Sequence, residues 1–447
     1  MIYLKALLLA AVCSFLGTIC VSAQNPIITD QFTADPSARV FNAKVYLYPS
    51  HDIPPVEGQK RENWFCMQDY HVFSSENLTD WTDHGVIISQ YSVPWVDSTA
   101  YSMWAPDCIG RDGMYYFYFP TPPKENYGRG FRIGVAIADH PSGPFTPQPD
   151  PIENVHGIDP NVFVDKDGQA YLYWAGRGGF YAAALKDNMV ELASEPKSIK
   201  GLPDEGLKEG PFVFERNNVY YMTFPHVADS TERLEYAIGD NPLGPFEPTG
   251  IIMEQRLDCW TNHHSIIEFK DQWYLFYHNN DLSPQFDKNR SVRIDSLFFN
   301  KEGTIQSVIP TLRGVGLTNA SQKIQIDRYS QKSQDGTSIA FMDPLNTFEG
   351  WKTILDEPNA WIQYNAVDFG QKHFKTVHIR ARSKTGCTLH VKLNKIDNQA
   401  IAHVNVPESK SWKIVGSPLT QNQVGIHNLI VLNKDQDVEI DWIHFSK

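Results

Sequence analysis

The sequence predicts an all-β protein, a five-bladed β-propeller followed by a C-terminal β-sandwich. Three observations support this fold class. An aromatic-rich strand motif occurs five times, a different strand pattern fills the C-terminal region, and long helical periodicity is absent. The chain has 29 Gly and 29 Pro residues, and they interrupt each apolar run before a helix of useful length could form.

Length and composition set the first limits on function. The 447 residues are enough for two or three domains, and 42% hydrophobic residues exclude a disordered chain. The net charge of −13 argues against a nucleic-acid partner, because a phosphate backbone requires a field of Lys and Arg. A neutral ligand fits this charge better, and 13% aromatic residues are compatible with stacking on sugars.

The N-terminus has the pattern of a secretory signal. Residues 1–23 contain Lys5, then an apolar run, then the small-residue site Val21-Ser22-Ala23. This segment is too short for a membrane span, so we expect it to be cleaved. The predicted location is therefore secreted or periplasmic, without a membrane span.

The repeat defines the predicted propeller, residues 24–318. Each copy has a polar residue near a Pro or small residue, an apolar strand, a short turn and a strand dense in aromatics. The five copies begin at Ala34-Asp35-Pro36, Trp104-Ala105-Pro106, Ile158-Asp159-Pro160, Glu209-Gly210-Pro211 and His263-His264-Ser265. Several copies continue into a second pair of strands, which is typical of a propeller blade.

Three of these copies place a carboxylate at the same position. Asp35, Asp159 and Glu209 each lie where the innermost strand begins, so the fold would bring them to one end of the central channel. The alternative is that each residue only forms a turn, for which Asp and Gly-Pro are common. The shared position in three copies favours a site.

Converging carboxylates suit the hydrolysis of a glycosidic bond. An inverting enzyme needs a protonated acid for the leaving oxygen and an ionised base for the water, about 6.5–9.5 Å apart. A third carboxylate would raise the pKa of the acid by charge repulsion. Phosphate-binding glycine loops, zinc-protease motifs and serine-hydrolase elbows are absent from the sequence.

Over about residues 25–317 the chain resembles glycoside hydrolase family 43. The resemblance rests on four motifs in the family's order: Ala34-Asp35-Pro36-Ser37, Trp104-Ala105-Pro106-Asp107, Ile158-Asp159-Pro160-Asn161 and Lys208-Glu209-Gly210-Pro211. The resemblance implies an inverting five-bladed propeller with xylosidase, arabinofuranosidase or arabinanase activity. It implies that Asp35 is the general base, Glu209 the general acid, and Asp159 the carboxylate that tunes and orients the acid. It also implies that Trp104 forms part of the sugar-binding wall. His263 corresponds to an axial histidine near a calcium ion, although Asn262 stands where the family more often has Gly.

Two further residues are candidate substrate contacts. The resemblance implies that Arg290 faces the bound sugar, and the alternative is a salt bridge to an axial carboxylate. His51 begins an insertion, residues 50–65, that could cover the mouth of the channel. We expect it to be either a substrate contact or a solvated loop residue.

The C-terminal region, residues 319–447, reads as short alternating strands and predicts a β-sandwich. It is similar to carbohydrate-binding module family 6, with landmarks at Trp361-Ile362-Gln363-Tyr364 and Ile440-Asp441-Trp442-Ile443. Trp351 and Trp412 lie nearest the positions of that family's sugar-binding aromatics. Glu439 replaces the family's ligand-binding Asn, so the module could bind sugar or only brace the propeller.

The leading hypothesis is a secreted inverting exo-glycosidase that releases terminal α-L-arabinofuranose or β-D-xylose from a plant cell-wall polysaccharide or oligosaccharide. No organic cofactor is implied. One alternative is an endo-acting arabinanase, which an open groove would favour over a pocket closed by the insertion. The other is a carbohydrate-binding propeller without catalysis, which would not need three carboxylates in one channel.

Overall fold

A computed structural model describes residues 25–59, 61–371 and 373–447 of the protein. The predicted signal segment therefore lies outside the described residues. Within these ranges the regular elements are β-strands, apart from one 3₁₀ turn, Glu125–Tyr127. None of the described helical residues forms a segment long and apolar enough to span a membrane. The predicted all-β class is confirmed.

Five antiparallel sheets follow one another along the N-terminal two thirds of the chain, and consecutive strands are neighbours in each of them. The first sheet contains β1 (Ala34–Phe41), β2 (Lys44–Ser50), β3 (Asp69–Ser75) and β4 (Thr82–Ser89). The second contains β5 (Asp107–Arg111), β6 (Met114–Thr121), β7 (Arg132–Ala138) and β8 (Thr146–Pro147). The third contains β9 (Ile158–Val164), β10 (Ala170–Gly176), β11 (Gly179–Ala184) and β12 (Lys197–Ser198).

The remaining two sheets of this region complete the set. The fourth contains β13 (Phe212–Arg216), β14 (Val219–Val227), β15 (Glu232–Gly239) and β16 (Glu247–Met253). The fifth contains β17 (His264–Phe269), β18 (Gln272–Asn279) and β19 (Ser291–Leu297). The first strands β1, β5, β9, β13 and β17 contact one another in a closed cycle. The first strand of every sheet therefore lines a common axis, as expected of a propeller.

Asp107 at the start of β5 ties three of these inner strands together. Its carboxylate accepts hydrogen bonds from Ser37 Oγ on β1 and from the Val162 amide on β9, both at 2.6 Å. Arg39 donates to the same carboxylate, with 3.0 Å between Nε and Oδ1. A buried carboxylate with this many donors holds the inner strands in a fixed register, because each lost bond would leave a buried charge unsatisfied.

Residues 25–33 close the ring against the fifth sheet. The amides of Ile27 and Thr33 donate to the carbonyls of Val292 and Arg290, each at 2.9 Å. The side chain of Asn25 donates to Ile294 O at 3.0 Å and accepts from the Ile294 amide at 2.8 Å. The N-terminal segment thus supplies backbone partners for β19, whose outer edge would otherwise lack them.

The C-terminal region contains two six-stranded sheets packed face to face. One has the order β20-β25-β30-β27-β28, with β22 also paired to β25, and the other has the order β23-β24-β31-β26-β29, with β21 also paired to β31. The strands are β20 (Thr318–Asn319), β21 (Ile324–Gln325), β22 (Gln331–Lys332), β23 (Thr337–Asp343), β24 (Asn346–Leu355), β25 (Trp361–Asp368), β26 (Thr376–Ser383), β27 (Cys387–Leu393), β28 (Ala402–Val406), β29 (Ser409–Pro418), β30 (Ile426–Asn433) and β31 (Val438–Ser446).

Alternating side chains of both sheets form the core of this sandwich. On β26, Val377, Ile379 and Ala381 point inward and are buried, whereas the residues between them are partly exposed. This period-two pattern is the one from which the sandwich was predicted. The sandwich contacts the propeller directly, since Arg328 Nη1 donates to the Asn25 carbonyl at 2.6 Å.

Candidate active site

A pocket of about 450 Å³ opens at the end of the axis where β1 and β9 begin. All three predicted carboxylates line it, together with the predicted residues Trp104, His263 and Arg290. The full lining is Asp35, Trp64, Phe65, Met67, Trp104, Ala105, Asp159, Glu209, Trp260, Thr261, His263 and Arg290. The structure therefore brings together residues that are up to 255 positions apart in sequence.

Asp35 and Asp159 reach the pocket by the same backbone device. Each is the second residue of an inner strand, each precedes a Pro, and each has a positive φ, 45° and 56° respectively. The pairing register shifts at both places, between Ala34 and Ser37 on β1 and between Ile158 and Asn161 on β9. Such a bulge re-aims a side chain, and the left-handed backbone is strained for a residue other than Gly. Asp tolerates it better than most residues.

Arg290 forms a clamp on Asp35. Its Nη1 lies 2.7 Å from Oδ1 and its Nη2 lies 3.1 Å from Oδ2 of this carboxylate. The same guanidinium donates to Asp52, with 2.9 Å from Nε to Oδ2 and 2.9 Å from Nη2 to Oδ1. Burial alone would raise the pKa of Asp35, but Arg290 and the nearby histidines bring that pKa down to about 2. Asp35 is therefore ionised at neutral pH.

The backbone of Asp35 is held by a neutral histidine. The Asp35 amide donates to His278 Nδ1 at 3.1 Å, and His278 Nε2 lies 3.0 Å from the Thr261 carbonyl. These partners require the proton on Nε2. Burial and the charge of Arg290 lower the pKa of His278 to about 3, which keeps the ring neutral.

Glu209 and Asp159 have raised pKa values, in contrast to Asp35. Burial and the charge of Asp35 raise the pKa of Glu209 to about 7. Burial and repulsion from Glu209 raise the pKa of Asp159 well above its ordinary value. Asp159 Oδ2 accepts the Gly210 amide at 2.8 Å, so it fixes the peptide that follows Glu209. The pair retains a proton close to neutral pH, beside an ionised Asp35.

Sequence reasoning missed a fourth acidic residue, Glu232, at the start of β15. Its Oε2 accepts the Asn262 amide at 2.8 Å, and burial together with the charge of Glu209 raises its pKa. Its Oε1 and the Asn262 Oδ1 are buried without a hydrogen-bond partner among the described residues. No repeat signal marked Glu232, because it opens a second-pair strand and not an inner one.

His263 lies between two of the carboxylates. Its Nδ1 is 3.9 Å from Asp35 Oδ1 and 3.9 Å from Asp159 Oδ2. Burial lowers the pKa of His263, so the imidazole is neutral and has a lone pair available as a ligand or acceptor.

Aromatic side chains form the walls of the pocket. Trp104 packs against Phe131, with ring centroids 4.5 Å apart. Trp64 and Phe65, at the end of the predicted insertion, line the pocket beside Trp260, which is 39% exposed. Phe65 also covers Arg290, whose guanidinium carbon lies 4.6 Å from the ring centroid. The insertion thus closes one side of the pocket. Trp64 and Trp260 were not identified from the sequence as pocket residues.

His51 was predicted to be either a substrate contact or a solvated loop residue. His51 does not line the pocket, and its Nδ1 lies 2.6 Å from Asp69 Oδ1. The next residue, Asp52, serves the site instead by holding Arg290. Arg290 forms the salt bridge to an axial carboxylate, Asp35, that was the predicted alternative. It also lines the pocket.

The two predicted aromatics of the sandwich have different environments. Trp351 is only 6% exposed, because Phe341 stacks on it at 5.0 Å and the Arg328 guanidinium lies 4.0 Å from its ring centroid. The Trp351 ring is therefore largely covered by protein. Trp412 is half-buried beneath Arg380 and Arg382, at 5.1 and 4.8 Å. Glu439 bonds Lys352 Nζ at 3.0 Å and Arg382 Nε at 2.6 Å.

Comparison with known proteins agrees with this geometry. Residues 23–305 match the model of glycosyl hydrolases family 43, and residues 331–447 match that of carbohydrate-binding module family 6. The chain is 39% identical over 333 residues to xylosidase/arabinosidase 43A of Humicola insolens, covering 64% of this chain and 99% of the relative. It is 27% identical over 474 residues to an arabinoxylan arabinofuranohydrolase of Bacillus subtilis, covering 92% and 89%.

A solved structure supports the same conclusion. A family 43 β-xylosidase/α-arabinofuranosidase from a compost microbial metagenome, in complex with xylotriose, is 36% identical with a TM-score of 0.58, covering 64% of this chain and 98% of the relative. The chain therefore belongs to glycosyl hydrolases family 43, and its family 6 carbohydrate-binding module follows the glycosidase domain.

Proposed function

We propose that this protein is an inverting exo-glycosidase that removes terminal β-D-xylose or α-L-arabinofuranose from xylan-derived chains. One observation carries the proposal: Asp35, paired with the Arg290 guanidinium, lines the same pocket as Glu209, a buried carboxyl group without such a partner in that lining. The pKa of Asp35 is about 2 and that of Glu209 is about 7. Two carboxyl groups with separated pKa values are the requirement for acid and base roles at neutral pH.

In the proposed reaction Asp35 accepts a proton from a water molecule as the water oxygen bonds to the anomeric carbon. Glu209 gives its proton to the glycosidic oxygen as the bond from that oxygen to the anomeric carbon breaks. Asp35 ends protonated and Glu209 ends ionised, and exchange with solvent restores both. Asp159 acts as a positioning residue, because its bond to the Gly210 amide holds the peptide of Glu209.

The shape of the pocket supports exo action. Trp64 and Phe65 of the insertion close one side, and Trp260 forms an exposed rim near Trp64, with ring centroids 6.4 Å apart. An endo-acting enzyme needs an open groove for the chain on both sides of the cleaved bond. The Humicola and compost relatives named above carry both xylosidase and arabinosidase names, which supports a pentose in the pocket. An oligosaccharide or polysaccharide is the partner that the family 6 module supports.

Two buried oxygen atoms beside the pocket suit a calcium ion near the axis. Glu232 and Asn262 each keep a buried oxygen without a partner among the described residues, and oxygens are the hard donors that calcium prefers. The neutral imidazole of His263 faces Asp35 and Asp159. We propose that the oxygens of Glu232 and Asn262 would hold the ion and that His263 would lie near it or near its water shell. A bound calcium ion would supply positive charge that offsets the crowded carboxylates. The compost relative is described as a calcium-free form, consistent with calcium in this family.

Product analysis tests the proposal. Proton NMR of the earliest product should show the anomer opposite to that of the substrate, and xylo-oligosaccharides should shorten by one sugar at a time. Retention of configuration would contradict the assigned roles of Asp35 and Glu209. Release of internal fragments would contradict exo action. We also propose that the protein is exported, so that N-terminal sequencing of the mature protein should begin at Gln24.

A further inference from the structure

A cluster of metal-binding side chains lies outside the pocket, on the first sheet. His51 follows the end of β2, and Asp69 and His71 lie two residues apart on β3. Because side chains alternate along a strand, Asp69 and His71 share one face. β2 and β3 are antiparallel neighbours, with Leu47 opposite Phe73. The same register, extended to the strand end, places His51 opposite Asp69.

The distances are those of a compact site. One ligand atom from each of His51, Asp69 and His71 lies within 4.8 Å of the others. The rings of His51 and His71 approach edge to face, with centroids 4.7 Å apart. Their side chains and that of Asp69 are 18%, 16% and 10% exposed. An ion could therefore reach the cluster from solvent, whereas the ligands themselves are held by the fold.

A second carboxylate orients one of the histidines. His71 Nδ1 lies 3.0 Å from Asp83 Oδ2, which leaves Nε2 as the nitrogen free to coordinate. Asp83 is itself fixed, because it accepts the Gly85 amide at 2.7 Å and Gln31 Nε2 at 3.0 Å. A carboxylate that holds the far nitrogen of a ligating histidine is a recurrent feature of protein metal sites.

We propose that His51, Asp69 and His71 form a binding site for one divalent transition-metal ion of the zinc class. Two imidazoles and a carboxylate are ligands that suit zinc, nickel or cobalt, whereas calcium and magnesium prefer all-oxygen sites. Three protein ligands leave a coordination position for water. The site is separate from the proposed calcium site at Glu232 and Asn262, and it does not depend on the glycosidase proposal.

The site would act on the segment that supports the pocket. His51 directly precedes Asp52, whose carboxylate holds Arg290 and through it Asp35. A metal ion would fix the backbone of His51 to β3, and would therefore stiffen the start of the insertion. We expect a higher unfolding temperature in the presence of zinc.

The test uses the full mature chain without a histidine tag, after treatment with a chelator and with calcium then added in excess to fill any calcium site. Zinc titration by calorimetry should give one ion per chain, and cobalt should give visible d–d absorption. His51→Gln and His71→Gln should abolish this binding, and Asp83→Asn should weaken it about 10- to 100-fold. His140→Gln, at an exposed histidine of the neighbouring sheet, is the matched control and should bind like the wild type.

Two results would overturn the proposal. One is the lack of stoichiometric zinc binding and cobalt absorption in the folded wild type. The other is binding that persists in both histidine variants. Thermal unfolding without metal shows whether each variant is folded, and Asp83→Asn offers a test that leaves all three ligands in place.

Discussion

Arg290 holds Asp35 through two hydrogen bonds, Nη1 to Oδ1 at 2.7 Å and Nη2 to Oδ2 at 3.1 Å. This paired geometry strengthens the interaction and also fixes the plane of the carboxylate. The same guanidinium donates from Nε and Nη2 to Asp52. One guanidinium thus balances two buried carboxylates, and its charge keeps Asp35 able to accept a proton.

Replacing Arg290 by Gln should affect both stability and activity. The change removes the positive charge between two buried carboxylates, and Asp52 keeps only the amide of residue 290 as a donor, which should cost about 3–5 kcal/mol of unfolding free energy at pH 7. Asp35 has a lowered pKa when folded, so its stabilising contribution is present above its ordinary pKa and is lost as the pH falls towards 2. Urea unfolding at several pH values measures this. Arg256→Gln, which breaks an exposed pair with Asp258, should change the free energy by less than about 1 kcal/mol.

The two proposed catalytic carboxyl groups should each be essential. Asp35→Asn and Glu209→Gln should lower kcat on xylobiose by about 10²- to 10⁴-fold, the usual contribution of a positioned acid or base. Circular dichroism should show that both variants remain folded. Glu205→Gln changes an exposed carboxylate of the same loop and should retain full activity. A variant of Asp35 or Glu209 with nearly normal kcat would refute the assignment.

Activity should fall on the alkaline side of neutrality. Glu209 must carry a proton to act as the acid, and its pKa is about 7, so kcat/KM on a natural disaccharide should decline as the pH rises through 7. A p-nitrophenyl substrate needs little protonation of its leaving group and should show a weaker decline. Glu209→Gln should abolish the alkaline decline in its residual activity. An unchanged alkaline limb in this variant would assign the titration to another group.

Trp351 should be a stability residue of the sandwich. It is 6% exposed and stacked between Phe341 and Arg328, so Trp351→Ala should cost about 3–5 kcal/mol. Trp351→Phe should retain much of the packing. Differential scanning calorimetry measures both. Loss of xylan binding by Trp351→Ala without any loss of stability would show that the ring contacts sugar directly.

The sequence was sufficient for the parts of the site that follow the repeat. Asp35, Asp159 and Glu209 could be found because each occupies the same position in its copy, and the fold converts equal positions into spatial neighbours. Asp52, Trp64 and Trp260 could not, because they lie on loops whose paths depend on packing against other sheets. His51 was named from the sequence as a candidate contact, but the residue that holds Arg290 is its neighbour, Asp52. Adjacent residues point in opposite directions along an extended chain, so a shift of one position separates the residue that holds Arg290 from one that faces Asp69.

The sandwich was predicted from its alternating strands, but the sequence did not show what covers its aromatic residues. A Trp on a strand can lie on either face, and period-two patterning does not identify what covers it. The contact of Trp351 with Arg328 comes from the loop between β21 and β22, and the local sequence around Trp351 contains no sign of it.

The closure of the ring by residues 25–33 has a consequence for folding. The contact of Asn25 with Ile294 spans 269 positions, so the fifth sheet can be completed only after almost the whole propeller has been synthesised. Contacts at such separation are slow to form. The hydrogen bond from Arg328 to the Asn25 carbonyl adds a contact between the C-terminal domain and the segment that closes the ring. The domain that is synthesised last therefore helps to hold residues 25–33 in place. A shortened chain without this domain should be less stable where residues 25–33 pair with the fifth sheet.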